Sequence, residues 1–520
     1  MTGRAAASSG ARAWAGISLL ALPTVLLGLD VTVLYLVLPS MSADLGPSAT
    51  QTLWIMDVYG FLLAGFLVAM GALGDRMGRR QLLMIGITAF AAVSVFAAFA
   101  PNSELLIAAR ALLGIAGATL MPSTLSLISN MFAEPRQRAM AIGVWATMFA
   151  VGMAAGPILG GVLVDRFWWG AAFLVAVPIA AIVLMLGRML LPEYADPRAG
   201  RLDLSSVALS LAAILPIVYA VKHAAAEGFD ASVAIAAAMG LTAGAVFWRR
   251  QRRLDDPLLD VTLFRNRAFS VALTVLLIGL VGVGGTMYLV TQYLQLVEGL
   301  SPFVAGLWMG PPALAMFAAG IGAPRLARRI RPGYVMGGTL GVSLIGYGLL
   351  ATVSLDDKLP VAAAFALVYL GLGAIAALGT DIVVGSAPAS KSGSAASLSE
   401  TVQELGIAIG VAILGSLTTS IYRTQLTVPE ALSRSETAAL ADSLSATVAI
   451  ADDLPAGTLV DAQLAFTTGL NIASLAAGLA IAAATVLCLR MLRHLPRLGH
   501  EQHDQKAELS VGRWSDYSGR

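Results

Sequence analysis

The sequence predicts an all-α membrane protein of 14 transmembrane helices, with both termini on one side of the bilayer. Three observations predict it. The 520-residue chain is 58% hydrophobic and only 12% charged, with a mean hydropathy of +0.80, whereas a soluble domain carries about a quarter charged residues. Its apolar residues gather into runs of about 20, the length one helix needs to cross hydrocarbon. Its basic residues gather between those runs, predominantly on one side.

Residues 1–14 read as a short, weakly basic cytoplasmic tail. The first apolar run follows at full spanning length with no small-residue cleavage signal, so it reads as a retained helix rather than a signal peptide. Spans are expected at 15–39, 52–73, 82–100, 105–128, 139–164, 171–191, 204–221, 231–248, 269–292, 303–322, 334–353, 361–385, 400–422 and 466–489. With a cytoplasmic N-terminus, 27 of the 33 Lys and Arg fall inside; Arg166, Lys222, Lys358, Arg423 and Arg434 fall outside, and Arg110 lies within a span. The basic segment 249–268 reads as a solvated inside linker, with a lipid-headgroup anchor as the alternative. The loop 423–465 is the longest outside loop, and 490–520 is a polar cytoplasmic tail.

A weak internal repeat divides the chain. GALGDRMGRR (71–80) follows span two, and GIGAPRLARR (320–329) follows span ten. If spans seven and eight (204–248) are an insert, these are the second helices of two six-helix bundles, 15–191 and 269–489. Duplicated halves are common in secondary transporters.

Acids inside apolar runs mark functional sites by default, because a carboxylate in hydrocarbon is costly. Asp30 lies mid-span in GLDVTVLYLVLP (28–39), and Asp57 lies about one turn from the outer end of span two in WIMDVYGF (54–61). The alternative is that hydroxyls such as Thr32 merely satisfy them. In the loop after span two, Gly71 and Gly78 allow a tight turn and close helix approach. Asp75 can sit on a helix N-terminus, a position worth about 0.3–1 kcal/mol, while Arg76, Arg79 and Arg80 supply the inside charge. Arg110 in span four either pairs with an acid or snorkels to the interface. In GMAAGPILGG (152–161), Gly152, Gly156 and Gly160 share one face and permit close helix contact; Gly161 follows, and Pro157 removes a backbone bond. In SETVQELGIAIG (399–410), Glu400 and Glu404 share a face one turn apart, with Gln403 beside them; Glu400 reads equally as a helix-start dipole partner. Asp381, near the inner end of span twelve, has an open role. Trp54, Trp145, Met148, Phe149, Tyr288, Tyr293, Trp308 and Met309 could line a pocket for lipophilic cations, since rings attract cations by about 0.5–2 kcal/mol and Met adapts to varied shapes; lipid contact or packing is the plainer reading for each alone.

These strings resemble the major facilitator superfamily, and within it the 14-span drug:proton antiporters, over nearly the whole chain. GALGDRMGRR is similar to the superfamily's signature loop, which implies that Asp75 docks near Ser399 and latches the cytoplasmic side. GMAAGPILGG resembles the exporters' antiporter motif, Arg110 the fourth-helix arginine linked to proton transfer, and Glu400 and Glu404 the thirteenth helix of quaternary-ammonium exporters. The resemblance implies the major facilitator fold and a proton-coupled multidrug efflux antiporter in the bacterial inner membrane. It would export lipophilic cations (dyes, quaternary ammonium biocides, fluoroquinolones), with Asp30, Asp57, Arg110 and Glu404 coupling to protons. Asp30, Glu400, Gln403, Glu404 and the aromatics would bind substrate. The alternative is a carrier for one physiological solute: a lipid, an osmolyte or a self-made antibiotic. Two departures stand out: span ten carries no acid, and the second signature loop lacks its acid.

Other classes are disfavoured. Segregated charges summing to +2 do not form a nucleic-acid footprint. Cys488 is the lone cysteine, and His223, His494, His500 and His503 lie at or beyond helix ends. No disulfide, metal, cofactor or catalytic cluster is therefore expected, and a monomer is.

Overall fold

The computed structural model describes residues 2–497, apart from 133–134, 194–202, 255–256, 258, 260, 388–391 and 430–431. In chain order the helices are α1 (Thr2–Leu45), α2 (Ala49–Met77), α3 (Arg79–Ala98), α4 (Ser103–Met131), α5 (Pro135–Arg166), α6 (Ala171–Leu174), α7 (Ala176–Leu190), α8 (Leu204–Glu227), α9 (Ala231–Gln251), α10 (Arg267–Gln292), α11 (Pro302–Trp308), α12 (Gly310–Ala327), α13 (Pro332–Leu350), α14 (Lys358–Gly385), α15 (Ser392–Gln425), α16 (Arg434–Asp442), α17 (Leu444–Ala449) and α18 (Thr458–Met491). Among the described residues, 13 helical stretches are long and apolar enough to cross a membrane. The expected seventh span appears as a shorter apolar stretch, Ser205–Ala220, within α8.

The helix boundaries follow local chemistry. Span one is longer than expected: α1 begins in the N-terminal tail and continues past Pro39 to Leu45. The sixth span divides into α6 and α7 at Val175, three residues before Pro178, whose ring opposes the carbonyl four residues back. The tenth divides at Met309, where Pro311 and Pro312 follow in the next turn. Side-chain caps fix other starts: Ser48 and Gln51 form a capping box on α2, and Asn102 caps α4.

Helices α1–α7 pack as one group and α10, α12–α15 and α18 as another, while the short α11, continuous in chain with α12, lies chiefly against α5 of the first. Inside the first group α1 lies directly against α5. A Cβ on Gly152 would meet the backbone of Val25, Gly28 and Leu29; one on Gly156 would meet Thr32 and Val33; one on Gly160 would meet Val33. This contact without side chains lets the Thr32 hydroxyl donate across to the Met153 carbonyl at 2.9 Å. Pro157 sits within a continuous α5.

Two seams join the groups. On one, α2 meets α15: Leu53 packs on Gly415, and Gly60 faces Ala408. On the other, α5 meets α11: Gly161 faces Pro302 and Phe303, and Gly306 faces Pro157. The pair α8–α9 attaches beside the first seam. Val218 of α8 shares a buried cluster with Phe61 of α2 and Ala408 of α15, and Leu211 packs over Gly65.

Ser42 near the end of α1 and Phe466 near the start of α18 line one cavity. The start of α1 and the end of α18 therefore share the opposite face. The long loop after α15 folds as α16 and α17 on the face of Ser42, where the Tyr422 hydroxyl donates to the Leu440 carbonyl at 3.0 Å. The Asp442 carboxylate accepts from the Ala49 amide at 3.2 Å, tying this loop to the other group of helices.

At the chain-end face, Arg250 clamps α9 to α8 through both carboxylate oxygens of Asp203, at 2.8 and 3.1 Å. The Arg250 hydrogen bond is the main reason the Asp203 carboxyl falls from 3.8 to about 2. A depressed folded-state value stabilises the clamp above the ordinary carboxyl range and releases it as pH falls toward 2. Asp203→Asn should therefore cost at most about 1 kcal/mol at neutral pH, because Arg250 is partly solvated, and nothing once wild-type Asp203 is protonated. Melting curves of both proteins from pH 7 down to pH 3 should show the difference shrinking as the unfolded carboxyl takes up its proton before the folded one; an equal difference throughout would count against it.

Candidate functional site

The centre of the molecule is a buried ion pair. Arg110 Nη1 donates to Asp30 Oδ2 at 2.8 Å, with the two side chains 3% and 7% exposed. Arg110 Nε donates to the Ile55 carbonyl at 3.1 Å, and its guanidinium lies 4.4 Å from the centre of the Tyr59 ring. One arginine thus joins α1, α2 and α4. Of the two readings of Arg110, the structure contains the paired one and not the snorkelling one.

Arg110 also lines a small cavity with Tyr35 of α1, Asp57 and Tyr59 of α2, and Glu404 and Ile407 of α15. Three of the four expected proton-coupling residues thus line one space spanning both helix groups, and Asp30 bonds to its wall. Glu404 lies within electrostatic reach of Glu400 and Asp30 and makes no ion pair among the described residues. An apolar cavity of about 280 Å³ on the other side of Asp30 is lined by Phe90, Leu159 and Phe173.

The remaining expected residues scatter. Gln403 Nε2 donates to the Ser399 carbonyl at 3.3 Å, and Glu400 lies half-buried one turn from Glu404. Trp54, Phe149 and Trp308 are half-buried, and none of them lines the acidic cavity. Trp145 donates to Thr124 at 3.0 Å, inside the first helix group. Met309 is buried at the break between α11 and α12. Tyr288 lines a different cavity, near Ser42. The expected aromatic pocket is therefore not gathered at the acids; the rings that stand there are Tyr35 and Tyr59. Both lie in the strings around Asp30 and Asp57, five and two residues on, and that proximity was the available signal.

The signature loop is held by a residue that the sequence reading missed. Gly78 takes φ +105° between α2 and α3. Glu193 Oε1 accepts from the Arg80 amide at 3.0 Å, and Glu193 Oε2 pairs with Arg80 Nε at 3.3 Å. Arg79 is buried and Arg76 exposed. The Asp75 side chain lies outside the described residues; its expected neighbour Ser399 is 3.2 Å from the Thr380 hydroxyl of α14. Asp381 is exposed.

The sequence profile of the Major Facilitator Superfamily matches residues 20–411. The chain belongs to the major facilitator superfamily. It is 46% identical, over 92% of this chain and 96% of the relative, to the multidrug efflux pump LfrA of Mycolicibacterium smegmatis. It is 34% identical, over 85% and 90%, to the methyl viologen resistance protein SmvA of Salmonella typhimurium. Among solved structures it is similar to a bacterial homologue of the human lysosomal transporter Spinster, inward-facing and unoccupied, with a TM-score of 0.65 over 93% of this chain and 97% of that one. At 18% identity that likeness carries the fold alone. This major facilitator protein is a multi-pass membrane transporter rather than an enzyme, and its relatives include multidrug efflux pumps.

Removing one partner of a buried ion pair costs about 3–5 kcal/mol, because the other charge is left uncompensated. Arg110→Ala should lower the melting temperature in detergent accordingly, and adding Asp30→Asn should recover much of the loss. Additive losses in the double variant would mean the pair is not the source.

Proposed function

We propose that this protein is a proton-coupled multidrug efflux antiporter for lipophilic cations. In this reading it works as a monomer in a bacterial inner membrane, with both termini in the cytoplasm. The observation that carries it is the meeting of Asp57, Arg110 and Glu404 in one cavity between the two helix groups, with Asp30 paired to the same arginine. The efflux pump to which the chain is 46% identical supports the cargo class.

The mechanism follows from charge. A cation favours an ionised carboxylate and desolvation favours the neutral form, so drug and proton compete for one acid. Arg110 already neutralises Asp30 in this state, which leaves Glu404 as the acid that receives the cargo. Protonation through Asp57 and the Asp30–Arg110 pair then displaces the cargo and resets the carrier. The helix groups rock about the midplane, with the loop at Gly71, Asp75, Arg76, Gly78, Arg79 and Arg80 as the cytoplasmic latch. The Gly152–Gly161 stretch serves as the rigid shoulder on which α1 and α11 bear. One proton in for one monovalent cation out moves no net charge. A second proton adds about 2.3 kcal/mol per 100 mV, which several acids in one cavity permit.

Ethidium efflux from proteoliposomes, with pH and voltage gradients imposed separately, tests this. Asp30→Asn should abolish pH-driven efflux per molecule of reconstituted protein, even after allowance for the lower Tm that an uncompensated Arg110 brings. Glu404→Gln should abolish ethidium binding. Wild-type transport in Asp30→Asn refutes the coupling role, and competition by one solute alone among unrelated cations would favour a dedicated carrier.

A further inference from the structure

A second polar space lies on the face of the long loop. It draws its walls from both helix groups: Ser42 and Thr52 from α1 and α2, Tyr288 and Gln292 from α10, and Thr418 and Thr419 from α15. Ser443, Leu444 and Ser445, at the junction of α16 and α17, form its lid. Three polar atoms on its walls are buried without a hydrogen-bond partner: Gln292 Oε1, Thr418 Oγ1 and Ser42 Oγ. Gln292 and Thr418 are 4% and 2% exposed. Such groups cost free energy unless something polar meets them, and a space with room for a water beside several polar partners can hold one. Among the described residues no Asp, Glu, Lys or Arg lines it, so they give it no charge that would trap a drug cation.

Its floor points toward the acids. Leu53 and Tyr288 close on Gly415, and Gly415 lines the space. Five residues separate Thr52 from Asp57 along α2, about 7 Å of helix. Asp57 is also the charged group that acts on the Tyr288 hydroxyl. Asp57 itself faces Arg110 from α4, Glu404 from α15 and Tyr35 from α1, and α8 presents Leu211 and Val218 to α2.

We propose that this space is a water-filled antechamber that delivers protons to Asp57 from the outer solution, with Gln292, Thr418 and Ser42 holding its waters. A hydronium there passes its proton through the water chain to the Asp57 carboxylate, when Leu53 and Tyr288 part, and remains as water. The α16–α17 segment, latched by Asp442 on the Ala49 amide, forms the chamber's wall on the side of the long loop. Gln292, Thr418 and Ser42 are positioning residues, since they act through water. The proposal rests on the antiporter reading above.

The test compares wild type, the double variant Gln292→Leu with Thr418→Val, and the conservative Thr418→Ser. Ethidium efflux from proteoliposomes is measured against the pH on the long-loop side, and ethidium binding is measured on purified protein. The double variant should bind ethidium as wild type does and transport about five- to tenfold more slowly at neutral pH, the scale of one or two lost hydrogen bonds. Lowering the pH on that side should restore its rate, and Thr418→Ser should behave as wild type. An unchanged rate, a loss that lower pH does not restore, or a loss of ethidium binding overturns the antechamber. A wild-type rate indifferent to that pH overturns instead the antiporter reading on which it stands.

Discussion

The Arg110–Asp30 pair is the constraint around which the site is arranged. A charge in the middle of a bilayer is costly, and a matching charge nearby offsets that cost only if the remaining donors are also satisfied. Arg110 has a carboxylate on α1, a backbone carbonyl on α2 and the face of the Tyr59 ring as partners. These partners fix three helices relative to one another. The glycine face of α5 then brings a fourth against α1, so Asp30 is held from both sides of its helix. Asp57 and Glu404 open onto the shared cavity beside it.

The seam between α2 and α15 turns this arrangement from a half-site into a whole one. Glu404 reaches the cavity because Gly60 lets the backbone of α15 lie against α2, with Ala408 at 3.2 Å from a would-be Cβ. The same helices diverge toward the long loop to enclose the polar chamber, and there α16 and α17 bridge the two groups through Asp442. Acid cavity and polar chamber are successive spaces along one interface, separated by Leu53 and Tyr288.

The membrane fold and the charged residues that meet between the helix groups were legible because each leaves a local trace: apolar length, an acid or arginine that hydrocarbon penalises, glycines at helical spacing. Breaks at Pro178 and at Pro311 and Pro312 follow the same local logic, although the span reading ran through them. What was not legible joins positions far apart in the chain. Glu193 caps α3 from 113 residues away, and Asp442 reaches Ala49 over 393. Neither contact has any periodic signature. That the named rings do not line the acid cavity has a related reason. Composition says that rings are present in the spans but not which way each faces, and Trp145 proves to be fastened to Thr124 within one helix group.

The position of α8 makes the molecule lopsided. Its apolar residues Leu211 and Val218 cover the lipid flank of the α2–α15 seam, whereas no added helix packs over the α5–α11 seam among the described residues. A greasy molecule drifting within the leaflet therefore meets a shuttered window on one flank and a bare one on the other. The carrier has a sidedness within the plane of the membrane as well as across it.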